Sequence, residues 1–131
     1  FMDEVNKIID SSLKKEALNP YADKLKSYQN KLSAVTMHLI GLTKIDGELF
    51  LADATLYLEM VGIFTIAWQW LLQANVANNQ LTIGAIEKDF YQGKFYTLAY
   101  FYEYELVKID ALAQRLMSEN KITIEMNKDW F

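Results

Sequence analysis

The stretch from Ala52 to Gln73, ADATLYLEMVGIFTIAWQWLLQ, constrains the fold more than any other, because no other segment carries so dense an apolar load. At helical spacing Phe50, Ala54, Tyr57, Leu58, Val61, Thr65, Trp68 and Leu72 form one broad stripe, which Met60, Phe64 and Leu71 widen. Thr55, Glu59, Gly62, Ile66, Gln69 and Gln73 recur three or four residues apart and leave one polar or small strip. A membrane span needs roughly 20 mostly apolar residues with few charges. Here the longest charge-free run is bounded by Glu59 and diluted by two glutamines, so the expectation is no membrane span but the central, nearly encircled helix of a soluble bundle.

The 131 residues suit one domain, 1–131, and 52% hydrophobic content is enough for a sizeable core. Five glycines and one proline give too little punctuation for a strand-and-turn protein. The net charge of -4 offers no general attraction to phosphate backbones or anionic lipid, which argues against nucleic acid as a partner. The absence of cysteine excludes disulfide frameworks, thiolate metal sites and cysteine nucleophiles. It fits a reducing compartment, and the expected location is cytoplasmic. No basic-then-apolar leader opens the sequence, and Phe1 stands where a start methionine would, so the chain reads as a fragment of a longer one.

The predicted class is all-α, an up-down four-helix bundle with a short extended C-terminal tail. A first helix over about 2–17 places Met2, Val5, Ile9 and Leu13 on one side. Leu18-Asn19-Pro20 breaks it, with Asn19 as candidate N-cap and Pro20 at the first helical position. A second helix over 20–45 carries Tyr21, Leu25, Tyr28, Leu32, Val35, Leu39 and Leu42 at alternating spacings of four and three, a heptad seam suited to a neighbouring antiparallel helix. Asp46-Gly47 reads as the turn into a third helix over 48–78, closed by Asn78 or Asn79 in the left-handed conformation. Thr82 is the candidate cap of a fourth, over 82–118, with Tyr91, Phe95, Leu98, Tyr102, Leu106, Ile109, Ala113 and Leu116 buried. Unbroken, it would run to about 55 Å at 1.5 Å per residue, so a bend or late start near Gly93 is expected. The tail 120–131 alternates like an extended strand and ends in Trp130-Phe131, which would anchor it in a hydrophobic groove.

The chemical constellations are sparse. A di-iron bundle needs two Glu-x-x-His pairs, and the chain has one histidine, His38, with Val35 three residues before it. His38 lies beside the seam and reads as a boundary residue; haem or metal ligation by it is the weaker reading. Glu103 and Glu105 are two apart on a helix and point away from each other. Glu59, the charge inside the densest apolar run, reads as a rim residue or an ion-pair partner. No Gly-rich phosphate cradle, Ser-His-Asp set or zinc signature is present, so no catalytic, cofactor-binding or metal residue is assigned.

Two blocks carry a resemblance. Tyr57-Leu58-Glu59-Met60-Val61-Gly62 followed by Ala67-Trp68-Gln69-Trp70 and Ala74, then Phe90-Tyr91-Gln92-Gly93-Lys94-Phe95 with Thr97, Ala99, Tyr100 and Phe101, resemble the C-terminal helical extension of acyl-CoA dehydrogenases. Trp130-Phe131 is similar to that extension's end, and the likeness spans about 20–131. Relatives often have glycine where Ala67 stands and proline about where Val107 stands. The resemblance implies a parent enzyme that binds FAD and oxidises acyl-CoA to enoyl-CoA, with the flavin site and catalytic glutamate upstream. The fragment itself would be inert, bracing the upstream dehydrogenase domains or the subunit interface of a homo-oligomer.

Four residues are candidates for that contact. Lys94 sits in the aromatic cluster from Phe90 to Phe101, suited to an ionic contact or to lying over ring faces with its charge in solvent. Tyr96, Tyr100 and Tyr104 follow at four-residue spacing and share one flank, which either meets another protein surface or packs against the first helix. The alternative function is an independent helical interaction module with no enzyme attached.

Overall fold

The computed structural model describes residues 1–84 and 86–131, and every regular element among them is helical. Its frame is α2, Asn19–Ile45. Leu25, Tyr28, Leu32, Val35, Leu39 and Leu42 of the heptad seam are buried and Tyr21 is half-buried, so one side of the helix faces its neighbours for its whole length. Pro20 lies in the first turn, where a missing N–H costs no bond.

α1, Met2–Leu13, packs on α2 and buries Val5, Ile9 and Ser12. It ends four residues before the expected Ala17, because Leu18 turns inward to full burial and draws Lys14–Leu18 into a tight turn. Asn19 does not cap α2 as an acceptor. Its Nδ2 donates to the Leu13 carbonyl at 2.7 Å, satisfying an orphan acceptor at the end of α1.

The expected third helix is two. Asp46 caps α3, Gly47–Ala52, by accepting from the Leu49 N–H at 3.1 Å, as the sequence predicted. A break at Asp53 then starts α4, Ala54–Thr82. The Asp53 carboxylate does not cap α4; it is held by Arg115, whose Nε lies at 2.8 Å.

α4 packs against α1 and α2, and its buried residues are Met60, Phe64, Ala67, Leu71, Ala74, Asn75 and Ala77. The face is rotated about a quarter-turn from the predicted stripe, at 3.6 residues per turn. Leu58, expected inside, is 70% exposed, and Tyr57, Val61, Trp68 and Leu72 are only half-buried. Large apolar side chains surround α4 almost evenly, so their period does not select a face. The alanines do, because a neighbour's side chain can approach the backbone there. The 29-residue α4 is long and apolar enough by length and composition to cross a membrane, a test that the core helix of a soluble protein also passes. It also runs past the expected stop. Asn78 and Asn79 stay helical, Thr82 Oγ1 bonds the Asn78 carbonyl at 2.8 Å instead of capping a following helix, and Gly84 at φ 80° makes the turn.

The expected fourth helix starts late and breaks. α5, Lys88–Tyr104, packs on α4, while α6, Lys108–Met117, packs on both α4 and α2. The interruption is at Glu105–Val107, not at Gly93, which lies within α5 with open space around it. The N–H groups of Glu105 and Leu106 both donate to the Phe101 carbonyl at 2.9 Å, a widened turn that sends Leu106 into the core. The buried stripe from Leu98 through Tyr102, Leu106, Ile109, Ala113 and Leu116 crosses the break intact.

Residues 120–131 are not an extended tail. Asn120 Oδ1 accepts from the Ile122 N–H at 2.9 Å and opens α7, Ile122–Glu125, and Lys128–Trp130 form a 3-10 turn. Alternation alone makes no strand when no partner strand offers a ladder. α7 packs on α3, Ile124 is half-buried against the core, and Lys121 pairs with Asp46 at 2.6 Å. Trp130 and Phe131 occupy no groove: they are 70% and 95% exposed.

Candidate functional site

The polar groups within the helix packing lock the fold. Asn75 of α4 is buried, and its Nδ2 donates to Ser12 Oγ at 2.9 Å and Ser11 Oγ at 3.2 Å. Lys15 Nζ donates to Asn75 Oδ1 at 2.6 Å and Asn79 Oδ1 at 2.8 Å, closing the α1–α4 seam. Between α2 and α6, Tyr28 donates its hydroxyl to Asp110 at 2.9 Å, and Lys31 pairs with the other carboxylate oxygen. Burial and the neighbouring Asp110 push the Tyr28 phenol up to about 12. Burial raises the Asp110 carboxyl, but Lys31 and Tyr28 together outweigh it and leave the group below the ordinary carboxylate range. Tyr102 is buried, so its phenol is held well above its ordinary value, and it donates to the Ala67 carbonyl at 2.9 Å.

These groups are spent on packing. The sequence offered one signal for them that was missed: Asn75 lies four residues after Leu71 and eleven after Phe64, on the same flank of α4. His38 is half-buried on α2, Glu59 is exposed on α4, and Glu105 is bonded by Lys108 at 2.6 Å. Among the described residues, no group of three or more His, Cys, Asp or Glu is placed to hold a metal ion.

The four candidate contact residues fall on two surfaces. Lys94 lies half-buried with Nζ 5.0 Å from the Phe90 ring centre and 5.7 Å from that of Trp70. This places its charge over aromatic faces at the edge of an open groove of about 370 Å³ between α4 and α5, which Leu72, Val76 and Tyr91 also line. Tyr96, Tyr100 and Tyr104 are 72%, 56% and 62% exposed, and the rings of Tyr100 and Tyr104 stack with centroids 4.8 Å apart.

That tyrosine flank forms one wall of a larger open groove, about 540 Å³. The other wall is the start of α2, with Pro20, Tyr21 and Lys24. The two helices touch at one corner, where the Tyr21 ring meets that of Tyr102 edge-on at 5.6 Å and Lys24 Nζ bonds the Tyr102 carbonyl at 3.2 Å. This α2 wall was not foreseen from the sequence, since it comes from residues about 80 positions away from the tyrosines.

In comparison with known proteins, the family model described as "Acetyl-CoA dehydrogenase C-terminal like" matches residues 1–127. No curated protein and no solved structure matches the chain.

Proposed function

Because the chain belongs to the acetyl-CoA dehydrogenase C-terminal-like family, we propose that it is the accessory domain of a longer, cytoplasmic, FAD-dependent acyl-CoA dehydrogenase, bracing its upstream domains and its subunit interface. The parent oxidises acyl-CoA to enoyl-CoA, and FAD bound upstream supplies the hydride acceptor. The residues here do not fit that cofactor. A diphosphate asks for several converging donors, such as a nest of backbone N–H groups or paired cations. The larger groove offers one cation, Lys24, with the carboxylate of Glu103 also in its lining, and the smaller offers Lys94 lying over rings.

The observation that carries the reading is the apolar surface left open on α4 and α5. Leu58, Ile66 and Val76 on α4 are 70%, 48% and 52% exposed, and Phe90, Tyr96, Tyr100 and Tyr104 extend the apolar area along α5. Large apolar side chains left open in this number on two neighbouring helices favour an interaction role. In this proposal the outer face of α4 lies against the upstream domains, as a bundle helix and not a membrane span, and the tyrosine flank meets another subunit. An up-down arrangement of α1, α2, α3 with α4, and α5 with α6 gives the rigid scaffold this role needs. Its support is the packing of α1 on α2, of α4 on both, and of α5 and α6 on α4.

The purified chain is expected to be colourless near 450 nm and to reduce no electron acceptor when given acyl-CoA. Stoichiometric bound flavin would contradict the division of labour between this domain and those upstream.

A further inference from the structure

The geometry points to an occupant for the groove between α2 and α5: the segment Asn127–Phe131 of a second copy of this chain. This rests on the reading of the tyrosine flank as a subunit contact and names what fills it.

Two surfaces in the same molecule are left open in complementary ways. The groove presents Tyr21, Tyr96, Tyr100 and Tyr104 around one cation, Lys24, and one anion, Glu103. The segment presents one cation and one anion, Lys128 and Asp129, followed by two aromatic residues, Trp130 and Phe131, that are 70% and 95% exposed. Seating Lys128 by Glu103 and Asp129 by Lys24 sets the indole and phenyl rings among the tyrosines. Lys24 spends one ammonium proton on the Tyr102 carbonyl and keeps two for a carboxylate.

The segment cannot reach the groove of its own chain. Lys121 is tied to Asp46 at the far end of α2, and α7 packs on α3 there. Roughly 35 Å of α2 separates Asp46 from Lys24 and Tyr21. With α7 wound, Trp130 lies at most about 25 Å from Lys121. The occupant therefore comes from another copy, and a two-fold pair would fill both grooves reciprocally with each chain giving one segment and accepting one.

The chain has no cysteine, which makes the test clean. Light scattering over a dilution series should show a dimer that dissociates on dilution. Trp130→Ser with Phe131→Ser should leave a helical monomer, since neither ring contributes to the core. Lys128→Glu removes two exposed ion pairs from the reciprocal dimer and should weaken it by about tenfold, roughly threefold for each pair, and adding Glu103→Lys should restore it. Mixing chains carrying Glu103→Cys with chains carrying Lys128→Cys should give the mixed disulfide in excess of either homodisulfide. A dimer that survives loss of both aromatics but is lost in Tyr96→Lys, Tyr100→Lys would overturn the occupant and leave the flank as an interface. A wild-type monomer throughout the series would overturn both. A disulfide forming only within a chain that carries both cysteines would also overturn the second-copy assignment.

Discussion

Phe64→Ala is expected to lower the stability of the isolated chain by about 3–5 kcal/mol, the usual range for emptying a phenyl site in a packed core. Phe64 is fully buried on the side of α4 that faces the other helices, and the edge of the Phe1 ring closes over it with centroids 6.5 Å apart. Leu58→Ala, two turns earlier on the same helix, is expected to change stability by no more than about 0.5 kcal/mol, because its side chain is already in solvent. Denaturant melts followed by circular dichroism measure both. The pair is informative because the sequence pattern put Leu58 on the main stripe and Phe64 at its edge. Equal losses would mean that α4 is rotated away from the position described.

Asn75→Ala should cost about 1–3 kcal/mol, the penalty for leaving buried polar partners unsatisfied. Its amide joins Ser11, Ser12 and Lys15, and removing it leaves the buried Ser12 hydroxyl without its α4 partner and the Lys15 ammonium with Asn79 alone. The loss should be larger than for Asn79→Ala, since Asn79 is exposed and accepts one of the same lysine's bonds. Thermal melts of the two variants compare them directly. Equal and small shifts would show that the α1–α4 seam is held by apolar packing alone.

The legible parts of the fold are those where one physical signal dominates. The α2 seam from Leu25 to Leu42 could be read residue by residue because its positions keep the four-and-three spacing throughout, with Met37 and Ile40 the large apolar side chains off it. The stripe from Leu98 to Leu116 was equally plain, and it persists through the break between α5 and α6 because the widened turn at Phe101 preserves the inward direction of Leu106. The breaks themselves were not legible. Asp53 interrupts the third helix where Arg115, some sixty residues later, claims its carboxylate, and a local pattern carries no trace of that partner. The face of α4 was misjudged for the opposite reason: apolar side chains are so abundant there that size, not periodicity, decides which side packs. In the surface regions, the four-residue spacing of Tyr96, Tyr100 and Tyr104 marked a common flank, whereas the groove needed Tyr21 and Lys24 from α2. The expected grip of Trp130 and Phe131 in a groove of the bundle fails within the chain because Lys121 fixes the segment at the wrong end.

The most direct measurement of the proposed accessory role is size-exclusion chromatography of this chain mixed with the flavin-binding domains that the proposal places upstream of it, expressed as a separate polypeptide and followed at 280 and 450 nm. The account predicts a joint peak, with flavin absorbance per upstream chain unchanged by the mixing. It also predicts that Leu58→Lys with Ile66→Lys, on the exposed face of α4, separates the two without unfolding either. Separate elution of two folded wild-type partners, or flavin travelling with this chain alone, would contradict it.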